Sequence, residues 1–286
     1  MRSNYLYIFV TLKFLIFMTA NKVSIITGAS SGIGKALAYE LAKQGYFLVL
    51  VARRLDLLSE IVNNIESKYP IKALAYKADV SVELECKGFI EFTMASFGKI
   101  DVLINNAGIS QRAMFADLNL EVFKKVMDIN FWGNIYPSKY ALPYLLKSKG
   151  SLVTISSISG FSPLPARTGY CSSKYAIHGF MESLRIEHLK TGLHVMVVAP
   201  EYVASEIRIH ALLSDGQEQG VSPREEKKML TAEYVAKRIV VGIKKRRRTM
   251  VIGITGTLII GFSRFLPKFT DKLIYNKIKQ EDNSPF

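Results

Sequence analysis

The sequence predicts an α/β domain built on a doubly wound parallel sheet, with helices on both faces of the sheet. Short apolar runs rich in β-branched residues alternate along the chain with longer amphipathic stretches, and each run is hydrophobic almost throughout. Strands of a parallel sheet are buried on both faces and therefore form continuous apolar runs, whereas strands with one wet face alternate. The sequence therefore predicts a parallel sheet of about seven strands.

The predicted strands follow the apolar runs in chain order. They are VSIIT (23–27), YFLVLVA (46–52), IKALAYKA (71–78), DVLIN (101–105), SLVTIS (151–156), LHVMVVA (193–199) and TMVIGI (249–254). The amphipathic stretches between them, such as 34–45 and 55–69, predict helices. No repeat, low-complexity tract or Pro/Gly-rich linker divides this series. We therefore expect one domain over residues 21–254, with extensions at 1–20 and 255–286.

The composition is strongly basic and poor in cysteine. Lys and Arg number 38 against 24 Asp and Glu, which gives a net charge of +14. This charge favours an anionic partner, which could be nucleic acid, an acidic membrane surface or a phosphate-bearing cofactor. Two cysteines are too few for a disulfide framework, and the four histidines lack metal-ligand spacing. We expect a reduced cytoplasmic protein without a metal site.

A glycine-rich loop, TGASSGIGKALA, follows the first predicted strand and leads into a helix. Its glycines form a G-x-x-x-G-x-G pattern that lets the backbone turn tightly and approach a pyrophosphate, whose charge the helix start offsets. A glycine turn without a ligand is the alternative, but the strand before and the helix after supply the context of a nucleotide site. We therefore predict a Rossmann-type fold. The predicted cofactor contacts of this loop are Gly28, Ser30, Ser31, Gly32, Ile33 and Gly34.

The end of the second predicted strand indicates which nucleotide is bound. An acidic residue there would bond the ribose 2'-hydroxyl of NAD, whereas arginine accommodates the 2'-phosphate of NADP. This chain has Arg53 and Arg54, and Ser30 is a further donor. A pair of surface arginines without a ligand is the alternative. The sequence therefore predicts NADP(H) as the cofactor.

Three side chains that follow the fifth predicted strand indicate acid–base chemistry. Tyr170 and Lys174 are four residues apart on a predicted long helix, so they share one face. A phenol with its ordinary pKa of about 10 is a poor acid or base at neutral pH, and a neighbouring ammonium favours the phenolate. Ser157, at the strand end, could hold a carbonyl oxygen beside the same phenol.

With these motifs in this order, the chain resembles the short-chain dehydrogenase/reductase superfamily over residues 20–255. The matching residues are the TGASSGIG loop, Asp79 and Val80, then Asn106, Ala107 and Gly108 of an NNAG motif, Asn130, Ser157, Tyr170 and Lys174. The resemblance implies that Asp79 and Val80 lie beside the adenine and that residues 21–254 form an NAD(P)-dependent catalytic domain.

The resemblance also implies roles for the catalytic residues. Ser157 would position the substrate oxygen, and Tyr170 would exchange the proton. Lys174 would bind the nicotinamide ribose and lower the pKa of the tyrosine, and Asn130 would hold a water that passes protons to Lys174. Taken singly, Asn130 could be a helix-capping residue and Tyr170 a core residue. Their joint occurrence at the family's spacing favours the catalytic interpretation.

One position departs from the family's pattern. After the sixth strand the family usually has Pro-Gly, whereas this chain has Pro200 followed by Glu201. Glycine there leaves room beside the nicotinamide, so we expect Glu201 to bring bulk and charge close to the hydride path. Val203 and Ser205 match positions that hold the carboxamide, although serine replaces the more usual threonine.

The implied reaction is hydride transfer between NADP(H) and a carbonyl or hydroxyl carbon. A lid over 204–229 would cover the substrate, for which a hydrophobic, lipid-like ketone and a small ketone or 3-oxoacyl group are the alternatives. A non-catalytic basic protein on the same scaffold is the rival function, but the basic run 244–248 has no interleaved aromatics for binding nucleic acid. The family implies a homodimer or homotetramer through the helix of Tyr170.

The two extensions carry apolar residues whose partners the sequence leaves open. Residues 1–20 could be a membrane-associated segment, although Lys13 is costly inside a membrane, or Met18 could be the true start. Residues 255–269 follow the last predicted strand and mix apolar residues with Arg264 and Lys268. We expect them to cover the substrate mouth, a partner subunit or an anionic membrane surface, so the cytoplasmic protein could be membrane-associated.

Overall fold

The computed structural model describes residues 21–222, 229–280 and 284–286. At its centre lies a parallel sheet of seven strands in the order β3-β2-β1-β4-β5-β6-β7. The strands are β1 (Val23–Thr27), β2 (Phe47–Ala52), β3 (Ala73–Lys77), β4 (Val102–Asn105), β5 (Ser151–Ile155), β6 (His194–Pro200) and β7 (Thr249–Ile252). The predicted doubly wound sheet is confirmed.

Helices connect the strands and cover both faces of the sheet. They are α1 (Gly32–Lys43), α2 (Leu55–Lys68), α3 (Glu83–Phe97), α4 (Leu120–Met127), α5 (Gly133–Ser148), α6 (Thr168–Glu187), α7 (Ala232–Lys244), α8 (Ile254–Phe265) and α9 (Pro267–Lys279). Helix α1 packs against α7, and α3 packs against α5. Because helices lie on each side, β1 and β5 are buried at every residue, which explains their continuous apolar sequences.

The strand order positions the site. Strand β1 pairs with β2 on one side and with β4 on the other. The chain therefore reverses its winding direction between β1 and β4, which opens a crevice outside the carboxyl ends of these strands. The glycine-rich loop follows β1 at this crevice, and the NNAG motif follows β4.

The last strand is shorter than the predicted range 249–254. Strand β7 ends at Ile252 because Gly253 takes a φ of +126°, which residues with a side chain rarely adopt. Helix α8 begins directly afterwards, at Ile254, and α9 follows it. The apolar segment predicted to follow the sheet is thus a pair of helices, which we call the C-terminal hairpin (α8 and α9).

The buried side chains of the C-terminal hairpin lie on one side of α9. Thr270, Ile274 and Ile278 of α9 recur every fourth residue and are buried, whereas α8 buries only Gly256. Among the residues with described structure, no helix combines the length and the apolarity that crossing a membrane requires. The described residues do not include 1–20, 223–228 or 281–283. The predicted N-terminal extension and part of the predicted lid therefore lie outside them.

Candidate active site

The glycine-rich loop forms a cradle with no room for side chains. Gly28 and Gly32 take φ values of +63° and +52°, and a Cβ on Gly28 would lie 2.8 Å from the Cα of Ala107. A Cβ on Gly34 would lie 2.2 Å from the carbonyl oxygen of Gly28. Only glycine fits these positions, as the close approach of a pyrophosphate to backbone N–H groups requires. The loop therefore fits a dinucleotide.

The NNAG motif holds the cradle in place from the neighbouring strand. The side-chain amide of Asn106 donates to the carbonyl oxygens of Thr27 (3.0 Å) and Gly28 (3.1 Å). In return, the hydroxyl of Thr27 accepts from the backbone N–H groups of Asn106 (3.0 Å) and Ala107 (3.1 Å). These bonds join the ends of β1 and β4, so the walls of the crevice are fixed relative to one another.

The cationic end of β2 lies beside the glycine-rich loop. The Nη2 of Arg54 donates to the Oγ of Ser30 over 3.1 Å and lies 3.6 Å from a carboxylate oxygen of Glu206. Arg53 is exposed next to it. Two guanidinium groups and a hydroxyl meet where the second strand ends, an arrangement that suits a phosphate.

At the end of β3, the carboxylate of Asp79 accepts from the N–H (2.9 Å) and hydroxyl (2.7 Å) of Ser81.

Ser157, Tyr170 and Lys174 come together at the end of β5. Ser157 hydrogen-bonds the Tyr170 side chain. The Nζ of Lys174 lies 5.6 Å from the centre of the Tyr170 ring and donates to the carbonyl oxygen of Ile155 over 3.1 Å. Helix α6 brings the tyrosine and lysine to one face, because four residues span about one helical turn.

The environment of the two titratable groups moves their pKa values in opposite directions. Desolvation raises the pKa of the Tyr170 phenol, although the hydrogen bond from Ser157 and the charges of Arg167 and Arg208 oppose this rise. Burial lowers the pKa of Lys174 to about 8. Lys174 was expected to be the cation that lowers the pKa of Tyr170. In the structure, the cations that lower this pKa are Arg167 and Arg208. A neutral phenol is a proton donor at neutral pH.

Asn130 lies behind the site and is fully buried. Its Oδ1 accepts from the N–H of Ile109 (2.8 Å), and its Nδ2 donates to the carbonyl of Ile109 (3.0 Å) and the hydroxyl of Ser173 (3.0 Å). It belongs to a π-helical turn, Asp128–Trp132, a feature that often marks functional sites. Asn130 thus ties the loop after β4 to helix α6, and the predicted water between Asn130 and Lys174 stays a prediction.

One cavity of about 520 Å³ gathers the predicted residues, a size typical of small-molecule sites. Its lining contains every predicted site residue except Gly34, which lies beneath the loop, and Asn130. The predicted residues in the lining are Gly28, Ser30, Ser31, Gly32, Ile33, Arg53, Arg54, Asp79, Val80, Asn106, Ala107, Gly108, Ser157, Tyr170, Lys174, Pro200, Val203 and Ser205.

Glu201 has a hydrogen-bond partner that the sequence did not indicate. It lines the cavity, but its Oε2 accepts a hydrogen bond from the backbone N–H of Gly256, over 2.9 Å, in the first turn of α8. A carboxylate is stable there because a helix start carries a partial positive charge. The charge expected beside the hydride path is therefore held by the C-terminal hairpin.

The cavity also has lining residues that sequence reasoning missed. Arg167 donates to the hydroxyl of Ser110 (2.6 Å) and the carbonyl of Gln111 (3.1 Å). Arg167 precedes Tyr170 by three residues, a spacing that could have indicated it. Ile278 of α9 and Pro285 also line the cavity, but only the three-dimensional fold brings them there.

A buried pair behind the site was missed as well. The hydroxyl of Ser156 and the Nε2 of His178 are 2.8 Å apart, and burial lowers the pKa of this histidine to about 4. His178 is therefore neutral near pH 7. The pair connects β5 with α6 directly behind Ser157, and the sequence carried no signal for it beyond a lone histidine in an amphipathic helix.

Comparison with known proteins agrees with this geometry. Residues 22–213 match the family model for short chain dehydrogenases. A relative from Arabidopsis thaliana, "11-beta-hydroxysteroid dehydrogenase-like 3", is 44% identical over 189 residues, which cover 66% of this chain and 61% of the relative. The chain spans 54% to 61% of the length of the first plant relatives that it matches.

Solved structures share the fold. An alcohol dehydrogenase from Thermococcus sibiricus, complexed with 5-hydroxy-NADP, superposes with a TM-score of 0.71 at 25% identity, covering 82% of this chain and 95% of that one. A short chain dehydrogenase/reductase from Burkholderia phymatum, in complex with NAD, superposes with a TM-score of 0.78 at 20% identity and covers 87% and 95%. The chain belongs to the short-chain dehydrogenase family.

Proposed function

We propose that the protein is an NADP(H)-dependent oxidoreductase that interconverts a carbonyl group and an alcohol. The observation that carries this proposal is the meeting of Ser157, Tyr170 and Lys174 with the glycine cradle in one cavity. A binding protein on the same scaffold would have no use for a phenol and an ammonium brought together behind a serine hydroxyl, so the arrangement favours catalysis over that rival.

In the proposed reaction the three side chains act on the substrate oxygen. The hydroxyls of Ser157 and Tyr170 hold it, and Tyr170 gives its proton as the carbonyl is reduced. Lys174, held by the carbonyl of Ile155, binds the nicotinamide ribose. When bound, NADP(H) supplies or accepts the hydride at C4 of its nicotinamide ring. The phenol of Tyr170, whose pKa desolvation raises, carries the proton that reduction of the carbonyl consumes.

The preference for NADP(H) over NAD(H) rests on the end of β2. Arg53, Arg54 and Ser30 would hold the 2'-phosphate, and no acidic side chain follows β2 directly to bond the ribose of NAD. The archaeal alcohol dehydrogenase of similar fold binds an NADP derivative, whereas the Burkholderia protein binds NAD. These two structures thus hold different nucleotides, and the two arginines support the proposal of NADP(H).

The proposed substrate is a bulky apolar ketone or the corresponding alcohol. Ile158, Leu164, Leu212 and Ile278 supply apolar lining to the cavity that contains the catalytic residues, and the plant relatives are named for a hydroxysteroid. Arg167 lines the same cavity, so a 3-oxoacyl compound with an anionic group is the second candidate substrate. A small soluble ketone is the remaining alternative, and the apolar lining gives it less support.

The C-terminal hairpin is the proposed contact with an anionic membrane surface. Ile254, Leu258, Phe262 and Phe265 recur at helical spacing on α8 and are exposed by 82%, 55%, 46% and 81%. Such a stripe has no partner within the described residues, and its spacing places it on one face. Leu266, Phe269 and Leu273 continue the apolar surface toward α9.

Cations accompany this apolar face. Arg264, Lys268 and Lys272 are exposed beside it, and Asp271 is the single acid of the described hairpin. Apolar side chains flanked by cations are typical of helices that lie in the interface of an acidic membrane. A membrane location would also bring the cavity wall at Ile278 close to lipid-dissolved ketones. The homodimer or homotetramer implied by the family stays a prediction.

The test of the proposed reaction is Tyr170→Phe, which removes one hydroxyl group. We expect the Kd for NADPH, measured by fluorescence, to change less than about threefold, while kcat for reduction of a steroid ketone falls at least about a thousandfold. Tyr175→Phe, one turn further along α6 and exposed to solvent, is the matched control. Undiminished turnover by Tyr170→Phe would exclude the mechanism. NADPH binding without reduction of any carbonyl compound by the wild type would favour the non-catalytic rival.

A further inference from the structure

Glu201 links the end of the catalytic sheet to the C-terminal hairpin. It follows β6 directly, and its backbone N–H donates to the carbonyl oxygen of Ile252 at the end of β7 over 2.9 Å. Its carboxylate accepts the N–H of Gly256 over 2.9 Å. One residue therefore bonds the last strand through its backbone and the following helix through its side chain.

Gly253 makes room for this carboxylate, and Gly256 lets α8 approach the loop after β5. A Cβ on Gly253 would lie 2.1 Å from the Cδ of Glu201, and a Cβ on Gly256 would lie 3.5 Å from its Cβ. The same atom on Gly256 would come within 2.9 Å of the Cγ2 of Ile158, which follows Ser157. The first turn of α8 thus packs against Glu201 on one side and, on the other, against the residues Ser157 and Ile158 after β5, which we call the serine loop.

The C-terminal hairpin reaches back into the catalytic cavity at its far end. Ile278, near the end of α9, is buried and lines the cavity together with Tyr170 and Ser157, and Pro285 lines it as well. The position of this wall depends on how α8 leaves the sheet, since α9 follows α8 after a single residue, Leu266. Elsewhere α8 has few buried contacts, as Gly256 is its only buried residue.

We infer that Glu201 is a positioning residue that anchors the C-terminal hairpin, so that Ile278 and Pro285 form the wall of a pocket for large apolar substrates. This inference rests on the proposed function for the reaction, and it adds the source of substrate preference. A glycine at position 201 would have no group to bond the N–H of Gly256, and the first turn of α8 would lose its tie to the serine loop. The pocket would then be open on that side.

The experiment uses the full chain and compares Glu201→Ala with Glu201→Gln. Hydrogen exchange of residues 254–265 is expected to rise at least about tenfold in Glu201→Ala, because the first turn of α8 opens locally. The KM for a steroid ketone is expected to rise about tenfold, while kcat changes less than about twofold and the KM for cyclohexanone is unchanged. Glu201→Gln keeps an acceptor oxygen and is expected to restore most of the protection and the low KM.

Glu233→Ala is the matched control, because Glu233 is an exposed acid in the first turn of α7, away from the cavity. A fluorescent naphthyl ketone serves as an apolar probe whose affinity does not require turnover. If the wild type reduces no ketone, the proposed reaction is wrong. The hydrogen exchange of residues 254–265 and the affinity for the probe still test whether Glu201 anchors the C-terminal hairpin. The inference would be overturned if Glu201→Ala had the same hydrogen exchange and the same probe affinity as the wild type. It would also be overturned if Glu201→Gln restored neither property. A loss of NADPH affinity in Glu201→Ala as large as the loss of probe affinity would overturn it as well.

Discussion

Two regions of the molecule use apolar residues in opposite ways. One is the cofactor edge, by which we mean β1 and the glycine-rich loop at the carboxyl ends of the strands, and the other is the C-terminal hairpin. All five residues of β1 are buried between helices, and the loop that follows it is closed by hydrogen bonds to Asn106. Helix α8 has an apolar sequence as well, yet it buries only Gly256 and exposes Ile254 by 82%. The apolar residues of the first region are covered by other described parts of the chain, whereas those of the second are exposed and could contact a membrane or another apolar partner.

The two regions also need their glycines for different reasons. Gly34 is needed because the backbone of Gly28 lies against it, so its role is to let one part of the cradle approach another. Gly253 is needed because the side chain of Glu201 occupies the space beside it. The cofactor edge is therefore intolerant of any added atom, while the C-terminal hairpin depends on one particular neighbour.

The largest expected effect separates these two kinds of glycine. Gly34→Ala places a methyl group 2.2 Å from the carbonyl oxygen of Gly28, so we expect NADPH affinity to fall about a hundredfold and stability to fall by about 1–3 kcal/mol. Fluorescence titration with NADPH and chemical denaturation measure the two changes. Gly179→Ala, on α6, is the control, because the added methyl would meet no atom within 4 Å apart from its chain neighbours and the backbone of its own helix. Normal NADPH binding by Gly34→Ala would contradict the tight cradle.

The next effect concerns the exposed face of α8. Leu258→Ser, Phe262→Ser and Phe265→Ser together are expected to reduce flotation with phosphatidylserine vesicles at least about tenfold, because apolar area no longer enters the membrane interface. The free energy of unfolding should stay within about 0.5 kcal/mol per site, since the side chains are exposed. Ile186→Ser with Leu189→Ser, equally exposed at the end of α6, is the control. Recovery of the wild type away from the vesicles would remove the membrane proposal.

The smallest expected effect concerns the choice between NADPH and NADH at the cofactor edge. Arg54→Ala removes the guanidinium that bonds Ser30, so NADPH affinity should fall about tenfold while NADH affinity stays within about twofold. Fluorescence titrations with both nucleotides measure the ratio, and Arg238→Ala, an exposed arginine of α7, controls for net charge. An equal loss of affinity for NADH would mean that Arg54 does not act on the 2'-phosphate.

The contrast between the regions also explains what the sequence could predict. The strands, the glycine-rich loop and the Tyr170 helix follow from local patterns, because each motif carries its own context of strand, turn or helix. The range of β7 was predicted too long, because Gly253 was taken as a strand residue although its φ of +126° ends the strand. The cluster of Ser157, Tyr170 and Lys174 followed from family spacing.

Other parts of the site depend on contacts between distant segments. The carboxylate of Glu201 accepts a hydrogen bond from the N–H of Gly256, 55 residues later in the chain. Arg167 and His178 take their roles from partners on other elements, Ser110 and Ser156. No local pattern records such pairs, because a single sequence gives the residue types but not the distances between them.

The strand order has a consequence for how the protein acquires its site during synthesis. Strand β1 pairs with β4, in a register where Ser24 opposes Val102, so its central neighbour is made long after it. Contacts of large sequence separation form slowly, because closing a long loop costs entropy before any contact repays it. A nascent chain that ends before Asn106 lacks the amide that closes the glycine loop. Cofactor binding should therefore begin only after β4 has joined β1, and a bound nucleotide would stabilise the completed fold by mass action.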